Sequence, residues 1–110
     1  MTANEYQHKA LRTAKGKDTT LGLVNGVLGL CGESGECADM VKKHIFQGHE
    51  IDKEHLAKEL GDVAWYIAIT AHYLGYDLDT IFEMNINKLL ARYPDGFDPE
   101  RSLNRQEGDI

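Results

Sequence analysis

Two pairs of carboxylates carry the strongest chemical signal in this sequence. Glu33 and Glu36 lie in the segment GLCGESGECADM, and Glu59 and Asp62 lie in AKELGDVAWY, with 22 residues between the two pairs. Residues three apart lie on the same side of an α-helix, so each pair points in one direction. Carboxylates that converge from adjacent helices repel one another and raise each other's pKa unless a cation lies between them. The pattern therefore predicts a site for a divalent cation.

The ligand type indicates which cation to expect. Oxygen ligands without His or Cys favour Mg²⁺, or Mn²⁺ as a substitute, over Zn²⁺. Mg²⁺ commonly keeps waters or takes phosphate oxygens as its remaining ligands, so it would let an acidic protein bind an anionic phosphate. A single pair of this kind is more simply an exposed helix charge. Two pairs on successive helices, each beside glycine, favour the metal site.

A carboxylate-bridged di-iron bundle is the competing metal site. It requires Glu-x-x-His motifs on two helices. Glu5 and His8 have that spacing, whereas Asp52 and His55 match it poorly because Asp52 is better used as a helix cap. The histidines otherwise show no ligand spacing, and we assign them no role.

Glycine is unfavourable inside a helix, so the glycines beside the acids require an explanation. Gly32 and Gly35 each cost a helix about 1 kcal/mol relative to Ala. We interpret them, together with Gly61, as close contacts between helices that also leave room for metal and ligand. Asp39 has no counterpart in the carboxylate pairs and is interpreted as a helper or a solvated charge.

The elements that must position these residues are all helices. Apolar residues recur at helical spacing, and sustained two-residue alternation is missing from the sequence. The predicted helices run from Asn4 to about Ala14, from Thr19 or Thr20 to near His44, from Asp52 to Gly75, and from Asp77 or Asp79 to the residue before Pro94. The segment Lys15-Gly16-Lys17-Asp18 is predicted to end the first helix and to separate it from the second helix. The fold class is all-α, an antiparallel bundle of about four helices.

Helical periodicity also predicts which faces meet. Gly26 and Gly29 share a sector of the second helix with its acid pair, and Tyr66 and Tyr73 share a sector of the third helix with the other pair. Residues 1–97 are predicted to form a single helical domain, followed by a polar C-terminal tail over residues 98–110 that is interpreted as loop or frayed chain.

Composition narrows the class of protein. With 110 residues, 42% hydrophobic and 27% charged, the chain has the make-up of one soluble globular domain. A net charge of −6 argues against binding to a nucleic-acid polymer or an anionic membrane. The N-terminus lacks the apolar core of a signal peptide, and the longest apolar run, residues 63–71, is about half the length needed to cross a bilayer. We expect a cytoplasmic protein.

The two cysteines fit that compartment. Cys31 and Cys37 are separated by about 9 Å along one helix and lie at the wrong angle for a disulfide. They also lack the CxxC spacing of a metal site. We expect two small buried thiols in a reducing cytosol.

Three segments together resemble the MazG-type all-α nucleoside triphosphate pyrophosphohydrolases. They are GLCGESGECADMVKKHIFQG, LAKELGDVAWYIAITAHYLG and NINKLLARYPDGF, within residues 21–97. The resemblance implies a Mg²⁺-dependent enzyme that hydrolyses a nucleoside triphosphate to the monophosphate and pyrophosphate, for cleaning the nucleotide pool. It also implies a site built between subunits, so we expect a homodimer or a tetramer made from two dimers.

The resemblance assigns roles residue by residue. It implies four metal-binding acids, namely Glu33, Glu36, Glu59 and Asp62. It implies that Tyr66 helps hold the nucleotide and that Asn85 and Lys88 reach the sugar or phosphates. One acid that is not fully committed to metal would act as base, with Glu36 favoured over Glu33. Trp65 is left between base stacking and a core or subunit-interface position.

A different class of function competes with the enzyme. The chain could be a non-catalytic helical module that binds a nucleotide or a protein and regulates. Such a module has no need for four clustered acids, and a Mg²⁺-dependent shift in thermal stability discriminates the two.

Overall fold

The computed structural model describes residues 1–14 and 18–110, and a helix is found in each of the four segments where one was predicted. Five helices follow one another along the chain: Ala3–Leu11 (α1), Thr19–Gln47 (α2), Lys53–Leu74 (α3), Leu78–Arg92 (α4) and Pro99–Leu103 (α5). No strand occurs among the described residues. The predicted all-α bundle is confirmed.

Local capping signals explain most of the helix ends. The carboxylates of Asp52 and Asp77 accept hydrogen bonds from the backbone N–H groups three residues later, as predicted for the starts of α3 and α4. Gly75 ends α3 with a φ of 86°, a left-handed conformation that favours glycine. Gly48 does the same for α2 with a φ of 72°, so α2 continues past the predicted end near His44.

The starts of α1 and α2 differ from the prediction by one or two residues. Thr2, not Asn4, caps α1, and the Asn4 side chain instead accepts from the backbone N–H of Asp79 at 2.9 Å. Asp18, not Thr19 or Thr20, caps α2 by accepting from the N–H of Leu21 at 2.8 Å. The predicted break at residues 15–17 lies outside the described residues.

The first helix also ends earlier than predicted. It stops at Leu11 rather than Ala14, because the N–H groups of Thr13 and Ala14 donate to carbonyls only three residues back. This tight turn cannot continue an α-helix.

A small core joins α1, α3 and the start of α4. Its buried members are Ala10, Ala68, Ile69, Ala71 and Leu78. Gln7 is buried beside them, and its amide spans the helices by donating to the carbonyls of Ala68 and Tyr76 and accepting from the N–H of Leu78. Every polar atom of that amide is therefore engaged, which makes its burial tolerable.

Trp65 belongs to this junction. Its indole N–H donates to the carbonyl of Ala10 and to the hydroxyl of Thr13, both at 3.2 Å, and its ring packs against the buried core. Of the two roles left open for Trp65, the core position is the one observed.

The long pair α2 and α3 forms a two-helix layer that exposes many apolar side chains. Exposed side chains on these helices include Leu21, Val24, Leu28, Ile45, Phe46 and Leu60. The exposed side chains of α4 include Phe82, Met84, Ile86 and Leu90. The radius of gyration is 17.0 Å, whereas a compact chain of this length has about 13 Å. A single chain therefore leaves much of its apolar surface uncovered.

The C-terminal segment is more structured than a frayed tail. Asp98 caps the short helix α5, and Asp109 forms a bidentate ion pair with Arg92 of α4. Within the described residues, no helix is long and apolar enough to span a membrane.

Candidate metal centre and active site

The packing of α2 on α3 determines which side chains meet. Three glycines of α2 lie where a side chain of α3 presses on the helix: Gly22 against Tyr73, Gly26 against Thr70 and Gly29 against Tyr66. The residue numbers rise on α2 as they fall on α3, so the helices are antiparallel. A side chain at any of these glycines would collide with its partner, which is why the contact requires glycine.

The acid pairs follow directly in this register. Glu33 lies one turn beyond Gly29, and Asp62 lies one turn before Tyr66, so the two carboxylates meet across the helix pair. Oxygens of Glu33, Glu59 and Asp62 all lie within 4.8 Å of one another. This is the group among the described residues that could hold a metal ion, and it contains carboxylates only.

Two oxygens of this group have no hydrogen-bond partner among the described residues. Glu33 Oε2 and Glu59 Oε2 are both buried and unpaired. A buried carboxylate oxygen without a donor costs free energy, so native proteins rarely leave one unless an ion or ligand satisfies it. The donor set, hard oxygens at short mutual distance, suits a divalent cation such as Mg²⁺. The residues present therefore fit the metal that the sequence predicted.

Glu36 lies at the edge of the group. Its side chain is exposed and does not join the three clustered carboxylates, but it is close enough to Glu59 to share a proton with it. That hydrogen bond and the negative charge of Glu59 raise the pKa of Glu36 above its ordinary value. Glu36 is thus the acid least committed to the centre.

Burial and repulsion act on Glu33 as well. Burial of its side chain raises its pKa most, followed by the charge of Glu36. For Glu59, burial acts to raise the pKa, but hydrogen bonds with His55, Glu36 and Glu33 outweigh it and the net pKa is lowered. The pKa values of Glu33 and Glu36 are thus raised while that of Glu59 is lowered, as expected for like charges held close together.

His55 is a residue of the site that the sequence did not indicate. Its Nε2 lies 2.9 Å from Glu59 Oε1, one turn earlier on the same helix. The contact fixes the carboxylate whose other oxygen is unpaired. The four-residue spacing between the two was the only available signal. His55 contacts Glu59 but is not among the side chains that could hold the ion, so within the described residues the metal group contains no His of a di-iron Glu-x-x-His pattern.

The first helix borders the same region. Burial raises the pKa of the Tyr6 phenol, and the negative charge of Asp62 raises it further. Tyr6 packs against the core that carries Trp65, so α1 presents one aromatic side chain toward the acids.

Tyr66 occupies the position predicted for a nucleotide contact. It is half-buried, one turn beyond Asp62, with its ring against Gly29 and edge-on to Trp65 at 5.0 Å between ring centroids. Its ring therefore packs into the interface between α2 and α3, one turn from the acid group.

Asn85 and Lys88 are not brought to the acids within one chain. Both are exposed on α4, which packs on α1 and on the end of α3 and has no substantial contact with α2. Lys88 lines a separate cleft with Arg92 and the C-terminal segment.

Two other expectations need correction. Gly32, Gly35 and Gly61 make no close helix contact: a Cβ there would meet no atom within 4 Å. The glycines that permit close packing lie earlier on α2. Cys31 is exposed and Cys37 half-buried, so the thiols are free but not buried.

Asp39 is a solvated charge with partners. Its carboxylate pairs with Lys42 at 3.3 Å and Lys43 at 2.9 Å, and the hydrogen bond from Lys43 lowers its pKa most. It belongs to a surface ion-pair group and not to the metal centre.

Comparison with known proteins identifies the family of the chain. Residues 25–97 match the family described as MazG nucleotide pyrophosphohydrolase domain. A relative from Mycobacterium phage L5, the Gene 37 protein, is 39% identical over 79 residues, which cover 68% of this chain and 69% of the relative. No solved structure matches. The matched range contains both acid pairs and Tyr66, and the chain belongs to the MazG nucleotide pyrophosphohydrolase family.

Proposed function

We propose that the protein is a divalent-metal-dependent nucleoside triphosphate pyrophosphohydrolase that uses Mg²⁺, with Mn²⁺ as a substitute, and clears unwanted nucleotides from the cytoplasmic pool. One observation carries the proposal: in a chain of this family, buried carboxylate oxygens of Glu33 and Glu59 lie unpaired beside Asp62. The reaction adds water across the α–β phosphoanhydride and releases a nucleoside monophosphate and pyrophosphate.

Glu33, Glu59 and Asp62 would hold the metal, with Glu36 beside them. When bound, the cation would neutralise phosphate charge and help orient water. The four acids alone could not bind a triphosphate, because like charges repel. Metal dependence is therefore part of the proposal.

Glu36 is our candidate for the general base. It lies outside the group of three clustered carboxylates, so it would be the acid least engaged by the metal and could take a proton from water. A carboxylate with a raised pKa is also a stronger base than an ordinary one. Glu33, buried and unpaired, is better placed as a ligand than as a base.

Tyr66 would pack against the nucleoside. Its ring lies against Gly29, one turn from the acid group, and its hydroxyl gives an otherwise apolar surface a polar end. Asn85 and Lys88 would reach the sugar and phosphates. Because α4 does not bring them to the acids of its own chain, they would act on the site of a second copy.

A homodimer, or a tetramer of two dimers, follows from the same geometry. The exposed apolar side chains of α2, α3 and α4 and the large radius of gyration leave a face that a second copy would cover. Light scattering after gel filtration measures the molar mass. A monomer at micromolar concentration would contradict the shared site.

Activity is tested by pyrophosphate release from a panel of ribo- and deoxyribonucleoside triphosphates, with Mg²⁺, with Mn²⁺ and with chelator. We expect metal-dependent turnover of at least one nucleotide. Glu36→Gln and Glu59→Gln should abolish it while leaving helix content unchanged. Glu54→Gln is the matched control, because Glu54 lies on α3 but is exposed and pairs only with Lys58. Folded protein that turns over no nucleotide would refute the proposal.

A further inference from the structure

The C-terminal end of α4 forms a cationic cleft in an otherwise acidic protein. The cleft has a volume of about 340 Å³, and its charged lining residues are Lys88, Arg92, Arg101, Arg105, Glu107 and Asp109. The whole chain carries a net charge of −6, so this concentration of positive charge is local. A cleft of this kind attracts anions.

The cleft already holds an anion, and it is part of the chain. Asp109 accepts two hydrogen bonds from Arg92, at 2.8 Å from Nε and 2.6 Å from Nη2. Only 9% of the Arg92 side chain and 15% of the Asp109 side chain are exposed. Hydrogen bonding from Arg92 lowers the pKa of Asp109 most, and the charges of Arg105 and Lys88 lower it further. The Asp109 carboxylate thus contacts one cation, Arg92, and is attracted by the charges of two more.

The segment is shaped to deliver this carboxylate. Gly108 has a φ of 85°, and the N–H of Asp109 donates to the carbonyl of Gln106 at 3.1 Å. This turn points Asp109 back into the cleft. Glu107, two residues earlier, lines the same cleft but forms no ion pair with a described residue.

The positive charge of the cleft exceeds what Asp109 neutralises. Among the described residues, Lys88 and Arg105 have no carboxylate oxygen within 4.0 Å. Arg101 has only the carboxylate of Asp98, at 3.9 Å. A guanidinium binds a phosphate in the same bidentate way as a carboxylate, and a phosphate group offers more acceptor oxygens to the remaining cations.

We propose that Asp109 is an internal competitor for an anion site centred on Arg92, and that phosphate groups of the nucleotide or of pyrophosphate displace it. The segment over residues 105–110 then acts as an autoinhibitory strap, closed when no phosphate is present. The choice of phosphate as ligand rests on the proposed function. The self-occupied cleft does not, because it is a contact within the chain.

The test measures binding without catalysis. Metal-free protein is titrated with inorganic pyrophosphate by calorimetry, for wild type, Asp109→Ala and Glu107→Ala. The two variants lose the same charge from the same segment, but only Asp109 contacts Arg92. We expect Asp109→Ala to bind pyrophosphate about tenfold more tightly, the gain from removing a competing charge-assisted pair. Glu107→Ala should gain about threefold or less, the part due to general electrostatics.

Arg92→Gln in the Asp109→Ala background should return the affinity to the wild-type level or below. Equal affinity of wild type and Asp109→Ala, or an equal gain in Glu107→Ala, would overturn the proposal. If a nucleotide is turned over, Asp109→Ala should lower KM and leave kcat nearly unchanged. A tenfold gain in pyrophosphate binding without turnover of any nucleotide would uphold the strap and refute the enzyme. Turnover of a nucleotide without a gain in pyrophosphate binding would uphold the enzyme and refute the strap.

Discussion

Gly29 on α2 lies directly against the ring of Tyr66 on α3, with no room for a side chain between them. One turn further along the same interface, Glu33 meets Asp62. The small residue thus sets how closely the helices approach where their carboxylates converge. Packing and chemistry share one interface.

Gly29→Ala should destabilise the fold. The new Cβ would overlap the Tyr66 ring, which cannot withdraw freely because it packs edge-on against Trp65. Overpacking costs about 1–3 kcal/mol, and Ala returns about 1 kcal/mol through helix propensity. We expect a net loss of about 1 kcal/mol or more in urea unfolding.

Gly32→Ala is the control for that change, because a Cβ there meets no atom within 4 Å. Its effect should be a gain of up to about 1 kcal/mol. Equal effects of the two substitutions would show that the contact with Tyr66 does not limit the approach of the helices.

Glu33→Gln should stabilise the metal-free protein at neutral pH. The pKa of Glu33 is raised in the folded state, so over the range above its unfolded value of about 4.3 the folded protein binds more protons than the unfolded chain. The contribution of Glu33 to the free energy of unfolding is fully present below that value and is lost as the pH rises through the folded pKa. Because Gln carries no charge, the stability of the variant should depend less steeply on pH.

Thermal melting across the acidic to neutral range, in chelator, measures the slope. The same experiment with Mg²⁺ should raise the melting temperature of wild type and leave Glu33→Gln nearly unchanged. Glu54→Gln should behave as wild type in both. No response of wild type to millimolar Mg²⁺ with nucleotide would favour a regulatory module instead of an enzyme.

His55→Ala should weaken metal binding without removing a ligand. His55 holds Glu59 Oε1 at 2.9 Å, and groups that orient metal ligands are commonly worth 10–100-fold in affinity. His55 is itself exposed, so we expect the low end, about tenfold. Calorimetric titration with Mn²⁺ gives the affinity.

His8→Ala, on the exposed surface of α1, is the control for His55 and should bind Mn²⁺ as wild type does. His55→Gln, which can still donate a hydrogen bond, should recover part of the loss. Unchanged affinity in His55→Ala would remove it from the site.

The contact between Arg92 and Asp109 should persist through the neutral range and fail in acid. The pKa of Asp109 is lowered in the folded state, so its contribution is fully present above the unfolded value of about 3.9. This contribution of the ion pair to the free energy of unfolding is lost as the pH falls through the folded pKa. The amide resonance of Gly108 in NMR spectra reports the turn, and Arg92→Gln should move the midpoint of its pH dependence upward, toward the pKa of an unpaired Asp.

The helix ends and the acid site could be predicted largely because their signals are local. Asp52, Asp77 and Gly75 act on neighbouring backbone groups, and the capping chemistry is visible in the sequence. Helical periodicity put Gly29 and Glu33 on one face and Tyr66 and Asp62 on another, and the structure brings these faces together.

The misassigned features depend on what the rest of the chain does. Three successive residues, Asp18, Thr19 and Thr20, can each cap a helix, and local sequence does not rank them. Gly32 and Gly35 look like packing residues, but a single partner helix covers only one side of α2. Cys31 faces outward for the same reason, because the apolar pattern does not say which face a second copy would cover.

The C-terminal segment shows a third limit. α5 is too short for periodicity to reveal it, and Asp109 is held by a residue 17 positions earlier in the chain. His55 was missed because its role depends on the carboxylate next to it having an unpaired oxygen, which only coordinates reveal.

The contact of Gly29 with Tyr66 also sets the angular phase of α2. Each residue turns an α-helix by about 100°, so one residue inserted between Gly29 and Glu33 would leave the glycine in place and swing both glutamates more than a quarter turn away from α3. Side chains in that turn can vary. The number of residues in that turn cannot vary, because the direction in which the glutamates point depends on their separation in sequence from Gly29.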